Sequence, residues 1–296
     1  MRYRKKRNWN LFFLALPLMA VVVLFNYVPL FGWYLSLIEY KPGYPIFSSP
    51  FVGPKYFRLF LTSMDFPRVM RNTLLFSGLQ FLTLPLPMLF AILLNEITFP
   101  KFRRLSQTVT TLPHFISWVT IYSLAFSIFS SDGVVNQIMN ALGGQNQAIL
   151  TNAGAVYWFQ TAVRLWKELG WSAIIYIAAI AGLDQELYEA AVVDGAGRFR
   201  CALHITIPGL IPTFVVLMLL NVSNFVNQGM EQYFVFKNAM IANNIENLEL
   251  FTYRNGLTLG DYSYATAVGI FKSTISITLL IIANLTAKKV RGTSIL

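Results

Sequence analysis

Residues whose types and spacing could do chemistry fall into two groups in this chain. The first lies between spans of apolar sequence, around residues 184–204. Glu189 is followed by Ala190 and Ala191, then by Asp194, Gly195 and Arg198, and further on by Ile205 and Pro208. An acid beside two methyl-sized side chains can enter a groove on another protein without a bulky rim. Asp184 is placed to cap a short helix running through Glu186 towards Val193, and Gly195 and Gly197 end it and permit a sharp turn. On these residues alone the segment is either a docking element or an ordinary surface loop. The second group is amide-rich. Asn221, Asn224 and Asn227 stand three apart, broadly on one helix face, with Ser223 and Gln228 beside them. Asn72 and Gln80 upstream and Lys272 downstream raise the same question, because polar groups inside apolar blocks need a partner or a wet path. Amides match the donors and acceptors of a sugar, and Phe225, Tyr176 and Trp118 could stack on its rings. The alternative use is hydrogen bonding between helices.

Covalent chemistry is not legible. No GxxxxGK[ST] run is present, so the chain is not expected to bind ATP. His114 and His204 are the only histidines and Cys201 the only cysteine, which completes no metal set and no internal disulfide. The expectation is a protein that is not an enzyme, with no catalytic residue, metal or cofactor of its own.

The elements that must hold these residues are apolar and long. Of 296 residues 55% are hydrophobic and 12% charged, which excludes a disordered or disulfide-stapled chain. Apolar blocks of spanning length occupy about 11–38, 72–94, 110–129, 163–183, 205–226 and 265–285. About 20 residues cross the hydrocarbon core of a bilayer. Six such blocks predict an all-α integral membrane protein with one transmembrane domain over residues 1–296. The charges give its orientation. Arg2, Arg4, Lys5, Lys6, Arg7, Lys101, Arg103, Arg104, Arg198, Arg200, Lys288, Lys289 and Arg291, 13 of the 23 Lys and Arg, fall in segments that are cytoplasmic if the N-terminus is. Both termini and the loop at 184–204 are then inside. The net charge of +10 thereby reads as a topology and lipid-headgroup signal, not as a nucleic-acid surface. The first block is too long for a signal peptide and is read as an uncleaved span.

The loop carries a resemblance. Glu189-Ala190-Ala191, three residues, Gly195, nine residues, then Ile205, Ile207 and Pro208 resembles the EAA loop of binding-protein-dependent ABC importer permeases, with Ile207 where Leu is usual. The stretches FFLALPLMAVVVLFNYVPLFGW, RNTLLFSGLQFLTLPLPMLFAILLNE and YATAVGIFKSTISITLLIIANLTAKKVRGTSIL are similar to one branch of that family, the permeases of alginate-type and pectin-type oligosaccharide uptake. The resemblance implies the type I ABC importer permease fold, with a cytoplasmic coupling helix between spans four and five. It also implies a bacterial cytoplasmic (inner) membrane location, a homologous second permease subunit, and two ATP-binding subunits that hold ATP and magnesium. An extracellular or periplasmic solute-binding protein would deliver the oligosaccharide. Under it, Glu189, Ala190, Ala191, Asp194, Gly195, Arg198, Ile205 and Pro208 couple the chain to the ATPase. A membrane scaffold or receptor using the same loop to hold a partner is the competing expectation.

Overall fold

The computed structural model describes the backbone of residues 9–291 and the side chains of residues 12–285. The basic cluster at 2–7 and the side chains of Lys288, Lys289 and Arg291 lie outside the described residues. The described chain is mostly helical, with one isolated antiparallel bridge between Ile38 and Phe51. In order, the helices are α1 (Trp9–Val22), α2 (Lys55–Thr62), α3 (Asp65–Thr83), α4 (Pro85–Asn95), α5 (Pro100–Thr111), α6 (Trp118–Phe129), α7 (Val134–Ala141) and α8 (Val156–Ala181). There follow α9 (Gln185–Val193), α10 (Arg198–Cys201), α11 (Ile207–Ser223), α12 (Glu231–Phe236), α13 (Ala242–Ile245), α14 (Leu248–Tyr253) and α15 (Tyr262–Arg291).

Proline sets where the winding changes. A regular α-helix through Pro29 would drive its ring into the Phe25 carbonyl. The chain instead widens into a π turn at Val23–Tyr27 and then tightens to a 3-10 segment at Val28–Leu37. The same device recurs before Pro208, where a π turn at Ala202–Thr206 leads into α11. At Leu84, itself in a helical conformation, α3 passes into α4, with Pro85 and Pro87 beginning the second helix.

Five stretches among the described residues are long and apolar enough to cross a membrane: Phe12–Leu37, Asp65–Asn95, Trp118–Ala141, Arg198–Ser223 and Tyr262–Leu285. α8 is equally long at 26 residues, but it carries Arg164, Lys167 and Glu168. Two helices start earlier than their apolar blocks, α3 at Asp65 and α8 at Val156, because polar residues at their ends find partners within the protein.

The chain divides into two bodies, residues 1–63 with 252–271, and residues 64–251 with 272–296. In the first, Ser263 Oγ donates to the Ile38 carbonyl at 2.7 Å and accepts from the Tyr40 N–H at 3.0 Å. Phe60 is buried edge-on to Tyr264 and Phe271. In the second body α8 is the central element, packed along α4 and α5 and touching α3 and α11. Ala91, Ile92, Ala173, Tyr176, Ile180 and Leu210 form its dry core.

Candidate functional site

The second body encloses a cavity of about 460 Å³ between α3, α4, α8, α11 and α12. Volumes of this order suit small organic ligands. Its aromatic walls are Phe76, Trp171, Tyr176 and Tyr233, and its polar walls include Gln80, Gln160, Arg164, Glu168 and Asn221. Residues 160, 164, 168 and 172 follow at i, i+4 spacing, so one face of α8 supplies most of the polar groups. A small cleft beside the cavity shares Gln80 and Asn221 and adds Asn224 and Phe225.

The structure brings Gln80, Tyr176 and Asn221 together on the cavity, with Asn224 and Phe225 on the adjoining cleft. Asn221 and Asn224 each donate back to a carbonyl four residues earlier, Leu217 at 2.9 Å and Leu220 at 3.2 Å. Their amide oxygens stay available to a ligand. Asn227 donates instead to Ser276 Oγ at 3.3 Å.

With Asn227, three further residues of the expected substrate path line neither the cavity nor the cleft. Asn72 is buried and saturated. It donates to the Asn243 carbonyl at 2.8 Å and the Glu246 carbonyl at 3.0 Å, and it accepts from the Tyr157 hydroxyl at 2.7 Å. It fastens residues 243–246 onto α3, where Glu246, also buried, meets Arg68 at 3.0 Å and Lys237 at 3.3 Å. Lys272 pairs with Glu249 at 2.9 Å. Trp118 lies under the Lys167 ammonium, 5.4 Å from the ring centre.

Lys167 itself is buried, and its Nζ donates to the carbonyls of Pro113, His114 and Ile116 at 3.2, 2.6 and 2.7 Å. Those carbonyls are exposed by the break between α5 and α6, where Pro113 cannot continue a helix. One ammonium thus satisfies the carbonyls of a helix end. Beside it, His114 Nδ1 lies 2.9 Å from Glu168 Oε2, and its ring stacks on Trp171 at 4.4 Å. Lys167→Met should keep the volume but orphan these acceptors, at a cost of about 2 kcal/mol. Thermal unfolding of the purified protein, with Lys167→Arg as a partial rescue, measures it; unchanged unfolding contradicts the role.

Sequence reasoning did not single out Gln160, Arg164, Glu168 or Tyr233. A signal was present: three ionisable residues within five positions of an apolar block. Burial pushes the Tyr233 phenol up to about 12, with the nearby Arg164 guanidinium acting in the opposite direction.

The expected docking segment is a real helix. Asp184 Oδ1 accepts from the Glu186 N–H at 3.0 Å, capping α9. At the other end Gly195 has φ +77°, and the Ala196 N–H reaches the Ala191 carbonyl at 2.8 Å, closing a Schellman turn. Gly195 is required for its backbone angle: open space surrounds the position of a Cβ there, so no side chain would collide. Glu189, Ala190 and Asp194 are exposed, as are Arg198 and Pro208, while Ala191 and Ile205 are half-buried. Leu187, Val192, Val193 and Phe199 are also exposed, an unusual apolar density around one acid. The helix is fastened at its base. The Tyr188 hydroxyl and Thr206 Oγ1 are 2.9 Å apart, and Leu183 packs so tightly on Gly209 that a Cβ there would lie 2.6 Å from its Cδ2.

Residues 83–292 match the family described as the binding-protein-dependent transport system inner membrane component. The chain belongs to this family. It is therefore a multi-pass inner-membrane permease component of a transport system. Protein LplB of Bacillus subtilis is 39% identical over 96% of this chain and 90% of its own length. The polygalacturonan/rhamnogalacturonan transport system permease protein YteP of the same organism is 38% identical over 94% and 88%. Among solved structures, a bacterial alginate ABC transporter in complex with an alginate pentasaccharide-bound periplasmic protein contains a chain with TM-score 0.90 and 30% identity. That match covers 98% of both chains. A second structure of a transporter importing alginate gives TM-score 0.89 and 31% identity, covering 97% of both.

Proposed function

We propose that this permease forms one half of the translocation path of an ATP-driven importer of oligosaccharides. The carrying observation is a joint placement within one body of the protein. An amide-and-aromatic cavity and an exposed acidic helix, α9, are both attached to α11. The similarity to sugar permeases supports the substrate class. The other half of the path is a homologous second permease. Two ATP-binding subunits hold ATP and magnesium and hydrolyse the nucleotide, and a binding protein outside the membrane delivers the sugar.

In this reading α8 is the sixth span. Its charges do not meet lipid: Lys167 is held by carbonyls, Glu168 by His114, and Arg164 Nη1 donates to the Gln228 carbonyl at 2.7 Å. An even number of spans places both termini and α9 in the cytoplasm. Val193 is 87% exposed on α9, so a Val193→Cys variant should react with an impermeant thiol reagent only in inside-out vesicles. Reaction in intact cells overturns the orientation.

The mechanism follows from the attachments. Glu189 and the shallow Ala190–Ala191 surface enter a cleft of the ATPase, which closes on ATP and moves α9. Tyr188–Thr206 and Leu183–Gly209 pass that displacement to α11. Fifteen residues further along, about 22 Å at the helical rise, α11 presents Asn221 to the cavity. Tilting α11 against α8 would open the cavity to one side of the membrane and close it to the other. Reconstituted vesicles holding both permeases and both ATPases, supplied with binding protein and ATP, should accumulate labelled oligosaccharide. A complete assembly that hydrolyses ATP but accumulates none defeats the proposal. Tyr188→Phe removes one half-buried hydrogen bond and should lower sugar imported per ATP about fivefold, with assembly intact.

A further inference from the structure

The buried and half-buried charged side chains described on α3, α8 and α15 have partners, with one exception, while Arg71 of α3 is exposed. Arg68 has Asp65 and Glu246, Lys272 has Glu249, Glu168 has His114, and Lys167 has three carbonyls. Arg164 differs. It lines the cavity, is half-buried, and donates to one carbonyl, yet no carboxylate lies within ion-pairing distance of it among the described residues. A cation held within a spanning helix costs free energy, and an unneutralised one on a cavity wall signals a function there.

The arrangement around it favours an anionic ligand. Arginine stays charged at every relevant pH, and its planar fork fits a carboxylate through two parallel N–H donors. With Nη1 committed to Gln228 and the Tyr233 hydroxyl also beside the guanidinium, the rest of its five N–H donors can serve a ligand. The one acid on the same wall is Glu168, one turn along α8, and it is engaged by His114 at 2.9 Å on the side of the α5–α6 break. The cavity therefore presents a guanidinium with no ion-pair partner among the described residues, beside the rings of Tyr176, Trp171 and Phe76 and the amide of Asn221. Rings and amides suit sugar faces and hydroxyls. The guanidinium asks for a carboxylate.

We propose that Arg164 is a specificity-determining residue of the translocation cavity, receiving the carboxylate of a uronide in the imported oligosaccharide. The inference rests on the importer reading above, and adds which ligand chemistry the permease itself selects. A neutral sugar would leave the guanidinium half-solvated and unneutralised, so the permease would discriminate even after a binding protein has released its cargo.

The test uses the complete complex in vesicles, with the binding protein unchanged throughout. Initial import of a labelled trigalacturonide and of the neutral trigalactoside of the same length is measured for wild type, Arg164→Gln and Arg164→Lys. The ratio of the two efficiencies, uronide over neutral, should fall about tenfold or more in Arg164→Gln. Arg164→Lys retains charge but loses the fork, and the ratio should fall about threefold; this variant carries the test alone if Arg164→Gln does not assemble. A ratio unchanged by both variants, with import of both sugars falling in parallel, means that Arg164 only supports the structure, and overturns the inference while leaving the importer reading intact. A wild-type complex that hydrolyses ATP and imports neither sugar defeats the importer reading itself.

Discussion

Gly170→Ala should cost about 4 kcal/mol or more and leave little folded protein in the membrane. The added Cβ would lie 2.3 Å from the carbonyl carbon and oxygen of Thr110 and 2.6 Å from the Thr111 nitrogen. These are backbone atoms at the end of α5, so no side-chain rotation relieves the collision. Relief requires separating α8 from α5 by roughly an ångström, since unbonded heavy atoms approach comfortably only near 3.5 Å. Separation would also pull Lys167 off the carbonyls of Pro113, His114 and Ile116 and draw His114 away from Glu168. The losses are coupled, which is why a single methyl is expected to do so much. Gly78→Ala is the matched control. Gly78 is exposed on α3 with open space around it, and alanine there should be neutral or stabilise by up to about 1 kcal/mol. Thermal unfolding in detergent, read by size-exclusion fluorescence, compares them. If both variants unfold like the wild type, α5 and α8 do not meet as closely as described.

The helix α9 was legible because its determinants are local: an aspartate cap, a short apolar-and-small run, and a glycine in the left-handed region at its end. The same locality made most spans readable as apolar blocks, and Gln80, Tyr176 and Asn221 readable as polar or aromatic groups that needed somewhere to go. What could not be read is pairing at long range. Asn72 raises the same question as Asn221 in sequence, an amide inside an apolar block. Its partners lie 171 and 174 residues downstream, and only the tertiary fold shows that it is saturated. Lys272 is a similar case, with its counter-ion 23 residues back. The charges of α8 were passed over for the opposite reason. Arg164, Lys167 and Glu168 sit where the apolar block begins, so they read as a boundary. They are instead the groups that organise the interior, through a proline break some 50 residues upstream. Gly170 carries no local mark of its role either, because the need for glycine arises on another helix.

Glu189→Ala should reduce ATP-driven import about tenfold or more while leaving insertion, folding and basal ATP hydrolysis close to wild type. The side chain is exposed and makes no hydrogen bond or ion pair among the described residues, so nothing within this chain depends on it for stability. That separation of effects is what makes the variant informative. A residue that only decorates the surface would change neither quantity, and one that holds the fold would change both. Here the loss should fall on the number of sugars moved per ATP, because in the proposed mechanism the acid anchors α9 in the ATPase cleft and the methyls of Ala190 and Ala191 let it seat. Glu189→Gln keeps the size and most of the polarity but loses the charge, so it should fall between wild type and Glu189→Ala if a basic residue of the ATPase is the partner. Ala190→Trp should match Glu189→Ala by blocking the seat sterically, with no change of charge. The three variants together separate charge from shape at the junction. Import and hydrolysis measured side by side in the same vesicles decide it: wild-type stoichiometry in Glu189→Ala, at normal expression, would show that force reaches α11 by some route other than this helix.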